Sequence, residues 1–213
     1  MGRGKRSGTA YGHRILMTTL HLRKWAAAAT LALLAFAIPS PAPTRSAGVM
    51  TARAFIPGIQ ASGNCAMNAQ ESAILNAMRS DSRQKRAQLV CSPALRQAAY
   101  FHAQDMANRN YFGHSTLPPN SIGPNQMARN AGYVLPSFYD SSPTGNNIES
   151  IAAGYATANS VWSGWMASPG HLNHLLGLVP FYAEQIDFGI AYVHNANSTY
   201  GHYWVVITAR RGP

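Results

Sequence analysis

The sequence predicts an α+β domain with an antiparallel sheet, and three observations carry that prediction. Helical periodicity recurs between about residues 68 and 177. Two segments rich in β-branched and aromatic residues, 186–193 and 203–208, close the chain. Asn195, Asn197, Ser198 and Gly201 stand between them, and turn-forming types in that place read as a hairpin.

The first 47 residues read as a secretory leader. Residues 1–24 carry Arg3, Lys5, Arg6, Arg14, Arg23 and Lys24 and no acid, and 25–38 form an apolar run broken only by Thr30. A basic head, a short apolar run and a small-residue tail describe a signal peptide. The run falls short of the ~20 residues a membrane span needs, so no stable span is expected after cleavage. Met17 offers a second start. Cleavage fits after Ala47 or after Ala54, and an uncleaved anchor is the competing reading. Residues 48–64 read as a flexible extension, and 65–213 as one domain. The leader also explains the charge. Of 17 Lys and Arg residues, eight lie at or before Arg53, whereas all seven acids lie later. Nine basic residues against seven acids leave the mature chain near +2, which excludes nucleic acid as the expected partner. The expected location is extracellular or periplasmic.

Elements follow in order. Asn68 and Glu71 form a capping-box pattern, and Ile74, Leu75 and Met78 give the helix 68–79 an apolar face. Residues 80–88 are polar and basic, a solvated connection. Ser92-Pro93 starts a second helix. Its buried stripe comprises Leu95, Ala98, Ala99, His102, Ala103 and Met106, and it ends near Asn108 to Asn110. Residues 115–147 are loop-rich in Pro, Asn, Ser and Gly, with a short helix over 124–131 stopped at Gly132. Trp162, Trp165 and Met166 stripe a helix over 157–166. Ser168-Pro169 restarts a short one that ends near Gly177. Cys65 and Cys91 are the only cysteines. In an oxidising compartment an even count favours a disulfide, with two buried thiols as the alternative. No Cys-x-x-Cys spacing points to a metal site.

Three Gly-His pairs hold the candidate chemistry: Gly113-His114, Gly170-His171 and Gly201-His202. Glycine there suggests special backbone geometry, and histidine a ligand, a proton carrier or a buried polar group needing a partner. Four blocks then resemble the CAP superfamily, the cysteine-rich secretory, antigen 5 and pathogenesis-related 1 proteins, in its bacterial extracellular form. They are Tyr111-Phe112-Gly113-His114-Ser115, Glu149-Ser150-Ile151-Ala152-Ala153-Gly154-Tyr155, Trp165-Met166-Ala167-Ser168-Pro169-Gly170-His171, and Asn197-Ser198-Thr199-Tyr200-Gly201-His202-Tyr203-Trp204. Ala152 to Tyr155 fix the alignment through Glu149.

The resemblance implies an α-β-α sandwich around a central antiparallel sheet, with a groove lined by two histidines and two acids. Carried over by motif, these are His114, His202 and Glu149, while Ser168 stands where many members have the second acid and His171 lies nearby. His114 and His202 could then ligate Zn²⁺ or another divalent cation, with Glu149 orienting a ring or acting as base. In the competing reading hydrogen bonds alone satisfy these side chains. His102 is read as packing on the second helix and His194 as a turn residue, neither with a role. There is no H-E-x-x-H helix and no G-x-S-x-G motif. The expected function is a secreted binding module for a peptide, lipid or cell-envelope ligand. The alternative is a metal-dependent hydrolase with Glu149 as base.

Overall fold

A computed structural model describes residues 65–213; the leader expected over 1–47 and the extension over 48–64 lie outside the described residues. The elements are α1 (Ala69–Ser80), β1 (Val90–Cys91), α2 (Pro93–Arg109), α3 (Pro124–Asn130), β2 (Glu149–Ala153), α4 (Ala158–Met166), α5 (Pro169–Leu176), α6 (Pro180–Ala183), β3 (Asp187–His194) and β4 (His202–Ala209). One four-stranded sheet has the order β1-β3-β4-β2. Its three longer strands are antiparallel, as expected. The two-residue β1 joins parallel to β3, so the sheet as a whole is mixed.

Helices cover both faces of the sheet. Alternation along β4 sorts the core into two layers. Tyr203, Val205 and Ile207 face α2 and α3, where they meet Leu95, Met106 and Met127. Trp204 and Val206 face α1 and α4, where they meet Ile74, Met78 and Trp165. These β4 side chains are fully buried, as a strand covered on both faces requires. The two layers make an α-β-α sandwich.

Caps set the helix limits. Asn68 and Glu71 close the expected capping box on α1. The Ser92 hydroxyl accepts from Leu95 N, and Pro93 opens α2. Asn110 ends α2 in the left-handed region at φ 54°, and its Oδ1 accepts from Thr199 N at 2.7 Å. Asn195 Nδ2 donates to Ala107 O at 2.9 Å. The β3–β4 hairpin is thereby tied to the end of α2. Cys65 and Cys91 form a disulfide that joins the approach to α1 to the sheet edge. Among the described residues, no helix is long and apolar enough to cross a membrane.

Candidate functional site

The site is centred on the first residue of β2. Glu149 pairs across the sheet with Ile207, so its side chain points into the layer beneath α2. There Glu149 Oε1 meets His102 Nδ1 at 2.7 Å, and Oε2 meets His114 Nδ1 at 2.9 Å. His102 comes from the buried stripe of α2, and His114 from the turn that follows α2. The side chains of Glu149 and His102 are 0% exposed, whereas that of His114 is 44% exposed.

Asn146 completes the arrangement. Its Oδ1 accepts from the backbone N–H groups of Ile148 and Glu149, and its Nδ2 stands 3.0 Å from His114 Nδ1. An ionised carboxylate only accepts. The 2.9 Å contact with Glu149 therefore puts a proton on His114 Nδ1, so the Asn146 amide, itself a donor, stands against Nδ1 without bonding to it, and Nε2 is the ring nitrogen not engaged by Glu149. Electrostatics support an ionised Glu149. Burial disfavours its charge, but attraction to His102 and hydrogen bonds from both imidazoles outweigh burial, so its pKa lies below the ordinary carboxylate value. Burial likewise opposes charge on His102, yet Glu149 raises its pKa above the ordinary value, helped by the Gly113 backbone.

The four carried-over positions separate. The structure brings His114 and Glu149 together. It places His202 five residues from Ile207 along β4, at the far end of the strand from Glu149, and on the opposite face. The reason is the two-residue period of a strand: His202 shares the parity of Trp204 and Val206, not that of Ile207. Its Nδ1 lies 2.7 Å from Tyr192 OH instead. An ion shared by His114 and His202 does not fit this arrangement. Among the described residues, no group of three or more His, Cys, Asp or Glu is gathered that could hold a metal ion. Glu149 is also ill placed as a base, because both its oxygens are taken up inside the protein.

Ser168 is the N-cap of α5 and makes no side-chain cap bond. His171, in the first turn of α5, is half-buried, and burial lowers its pKa, with a smaller contribution from repulsion by His114 whenever both rings are protonated. The Glu149 oxygens bond to His102 and His114, not to His171. A cavity of about 710 Å³ lies away from these groups, lined by Val90, Glu184, Ile186, Asp187, Arg210 and Arg211.

Sequence reasoning missed two partners. His102 reads as core packing, yet an ionisable group in a stripe of Ala, Leu and Met needs a partner, and that was the available signal. His174 is the second. Its Nδ1 meets Ser150 Oγ at 2.7 Å and its Nε2 meets Thr208 Oγ1 at 2.8 Å. Thr208 Oγ1 in turn donates to Gln185 Oε1 at 2.9 Å and accepts from Arg86 Nη2 at 3.2 Å. Thr208 thus has only acceptor capacity left for His174, which must donate from Nε2 and accept from Ser150 at Nδ1. Burial, with the Arg86 charge, holds the His174 pKa well below its ordinary value. Ser150 is 1% exposed and His174 is 3% exposed, so this serine–histidine contact fastens α5 to the sheet and offers no nucleophile to solvent.

The profile of the cysteine-rich secretory protein family, CAP, matches residues 73–208. Among solved structures, the fold is similar to an outer surface protein of Borrelia burgdorferi, at 19% identity and a TM-score of 0.49, over 68% of this chain and 96% of that one. It is also similar to an extracellular protein containing an SCP domain from Bacillus anthracis str. Ames, at 19% identity and a TM-score of 0.48, over 67% of this chain and 40% of that one. No curated protein matches the chain.

Proposed function

Because the chain belongs to the cysteine-rich secretory protein family, CAP, over residues 73–208, we propose that it is an exported binding module whose ligand docks against His114. The observation that carries this reading is the bridge His102–Glu149–His114. Glu149 is spent on holding one buried and one exposed imidazole, and with Nδ1 of the exposed ring engaged by Glu149, Nε2 is the nitrogen left for a ligand. A side chain held this way recognises a hydrogen-bond donor or polar head group without losing its own rotamer freedom on binding. Phe112, 44% exposed and two residues before His114, adds apolar surface beside it. The ligand class is a peptide, a lipid or a cell-envelope fragment. Export is supported by the leader pattern and by the disulfide.

The test is titration of the purified protein with lipid vesicles, peptide pools and solubilised envelope fragments, read by calorimetry. Saturable binding to one class, weakened at least tenfold by His114→Ala, is expected. Binding that His114→Ala leaves intact, or no binding in any panel, overturns the reading.

A second reading is favoured by one contact. A carboxylate that orients an exposed imidazole is the partnership of a general base and its orienting group, so His114 rather than Glu149 would carry the proton in a hydrolase. Cleavage of peptide or ester substrates by the wild type, reduced by Glu149→Gln, would support it. Wild-type rates equal to buffer would end it.

A further inference from the structure

His202, separated from the Glu149 site, has its own neighbour. In the β3–β4 hairpin His194 and His202 are directly opposed, the last pair before the turn. The next pair outward is bonded, with Asn195 N donating to Gly201 O at 2.8 Å. Bonded and non-bonded pairs alternate in an antiparallel ladder, so His194 and His202 occupy a non-bonded pair, the kind in which side chains come closest. Their rings stack with centroids 4.6 Å apart and planes inclined by 27°. His194 is exposed and His202 half-buried.

Tyr192, two residues before His194 on the same face, supports one of the two rings. Its hydroxyl lies 2.7 Å from His202 Nδ1, and its ring stacks on His202 at 6.0 Å and packs on Trp204 at 4.3 Å. A metal-bound histidine commonly donates its second ring N–H to such an acceptor, which fixes the ring and directs Nε2 at the ion. With metal–nitrogen bonds of about 2 Å, two imidazoles in adjacent coordination positions have ring centres about 4.5 Å apart, close to the spacing seen here. The terminal torsion of the exposed His194 is soft, so its ring can turn its nitrogen toward a shared ion.

We propose that His194 and His202 form a two-histidine site for a divalent transition-metal ion at the end of the β3–β4 hairpin, with Tyr192 as the positioning residue for His202. Two imidazoles with water in the remaining positions suit Cu²⁺ or Ni²⁺, and the affinity order among first-row ions puts Cu²⁺ first. The site is separate from the His114 surface and does not depend on the ligand bound there.

The experiment uses tag-free protein, since a histidine tag would compete for the ion. Calorimetric titration with Cu²⁺, Ni²⁺ and Zn²⁺ should give one equivalent, tightest for Cu²⁺. Electron paramagnetic resonance of the copper form should show coupling to two imidazole nitrogens. His194→Gln and His202→Gln should each weaken binding at least tenfold, and Tyr192→Phe by about tenfold through loss of the orienting bond. His194 is exposed, so His194→Gln should fold, and a unimodal melt at the wild-type temperature checks this. Wild-type copper affinity in folded His194→Gln, binding lost in only one of the two histidine variants, or no stoichiometric binding by the wild type would each overturn the proposal.

Discussion

His102 and Glu149 meet at 2.7 Å with both side chains fully buried, one from the middle of α2 and the other from the first residue of β2. The contact joins the helix to the sheet edge and keeps Glu149 ionised where no water reaches it. Removing one partner of a buried pair strands the other charge and costs about 3 to 5 kcal/mol. His102→Leu should therefore destabilise by about 3 kcal/mol or more in urea unfolding. His102→Leu with Glu149→Gln should recover part of the loss, since the stranded charge is gone. A single variant within 0.5 kcal/mol of wild type would show that the pair does not hold the two elements together.

Stability should pass through a maximum between pH 6.5 and the raised folded pKa of His102, with signs set by histidines shifted in opposite directions. The folded pKa of His102 is raised, so its contribution is complete below the unfolded value of 6.5 and is lost as pH rises through the folded value. The folded pKa of His174 is depressed, so below 6.5 the unfolded chain takes up a proton that the folded protein refuses, and stability falls. His171 and His202 are depressed as well and act in the same direction. Glu149, depressed from 4.5, contributes fully above that value, and its contribution declines only as pH falls toward its folded pKa. Chemical denaturation from pH 4 to 9 should trace this peak. His102→Gln should flatten the alkaline limb alone; an unchanged alkaline limb would reject the assignment.

Gly189 is where α2 touches the sheet. A Cβ there would stand 2.3 Å from Arg96 N and from Leu95 C, both backbone atoms with no rotamer to yield. Gly189→Ala must lift the helix off β3 and should cost about 3 kcal/mol, at the upper end for overpacking. Thermal melts would detect it. A loss below 0.5 kcal/mol would mean that the helix shifts without penalty.

The legible parts of this chain were those that local chemistry decides. Ser92-Pro93, Asn68 with Glu71, and Gly177 each carry a cap signal, and the structure starts or ends helices there. The strands expected at 186–193 and 203–208 appear as 187–194 and 202–209. Elements whose identity depends on distant partners were not legible. β1 has two residues and exists because Val90 and Cys91 pair with Asp187 and Phe188. β2 is Glu-Ser-Ile-Ala-Ala, with little β-propensity of its own, and is a strand because β4 lies alongside it. At the site, His114 and Glu149 were visible through their motifs. His202 was misplaced because a motif does not state which face of a strand a residue occupies, and one residue of register moves a side chain through the sheet.

The disulfide should be worth about 3 kcal/mol. Cys65 precedes α1 and Cys91 ends β1, with a sequence separation of 26, and a loop of that size costs the unfolded chain this much entropy when closed. β1 makes the bond structurally consequential as well, because its ladder to β3 runs over only two residue pairs. Loss of the tether leaves α1 attached to the sheet through its own face, Ile74, Leu75 and Met78, and through the buried Glu71, which accepts from Tyr192 N at 3.1 Å on the stretch of β3 that the short β1 leaves unpaired. Those contacts should keep the reduced protein folded but less stable. For a domain of this size, the melting temperature should fall by about 6 to 12 °C on reduction or in Cys65→Ala/Cys91→Ala. Melts with and without reductant, beside the double variant, measure it, and equal midpoints in all three would show that the unfolded chain gains no freedom when the bond is cut.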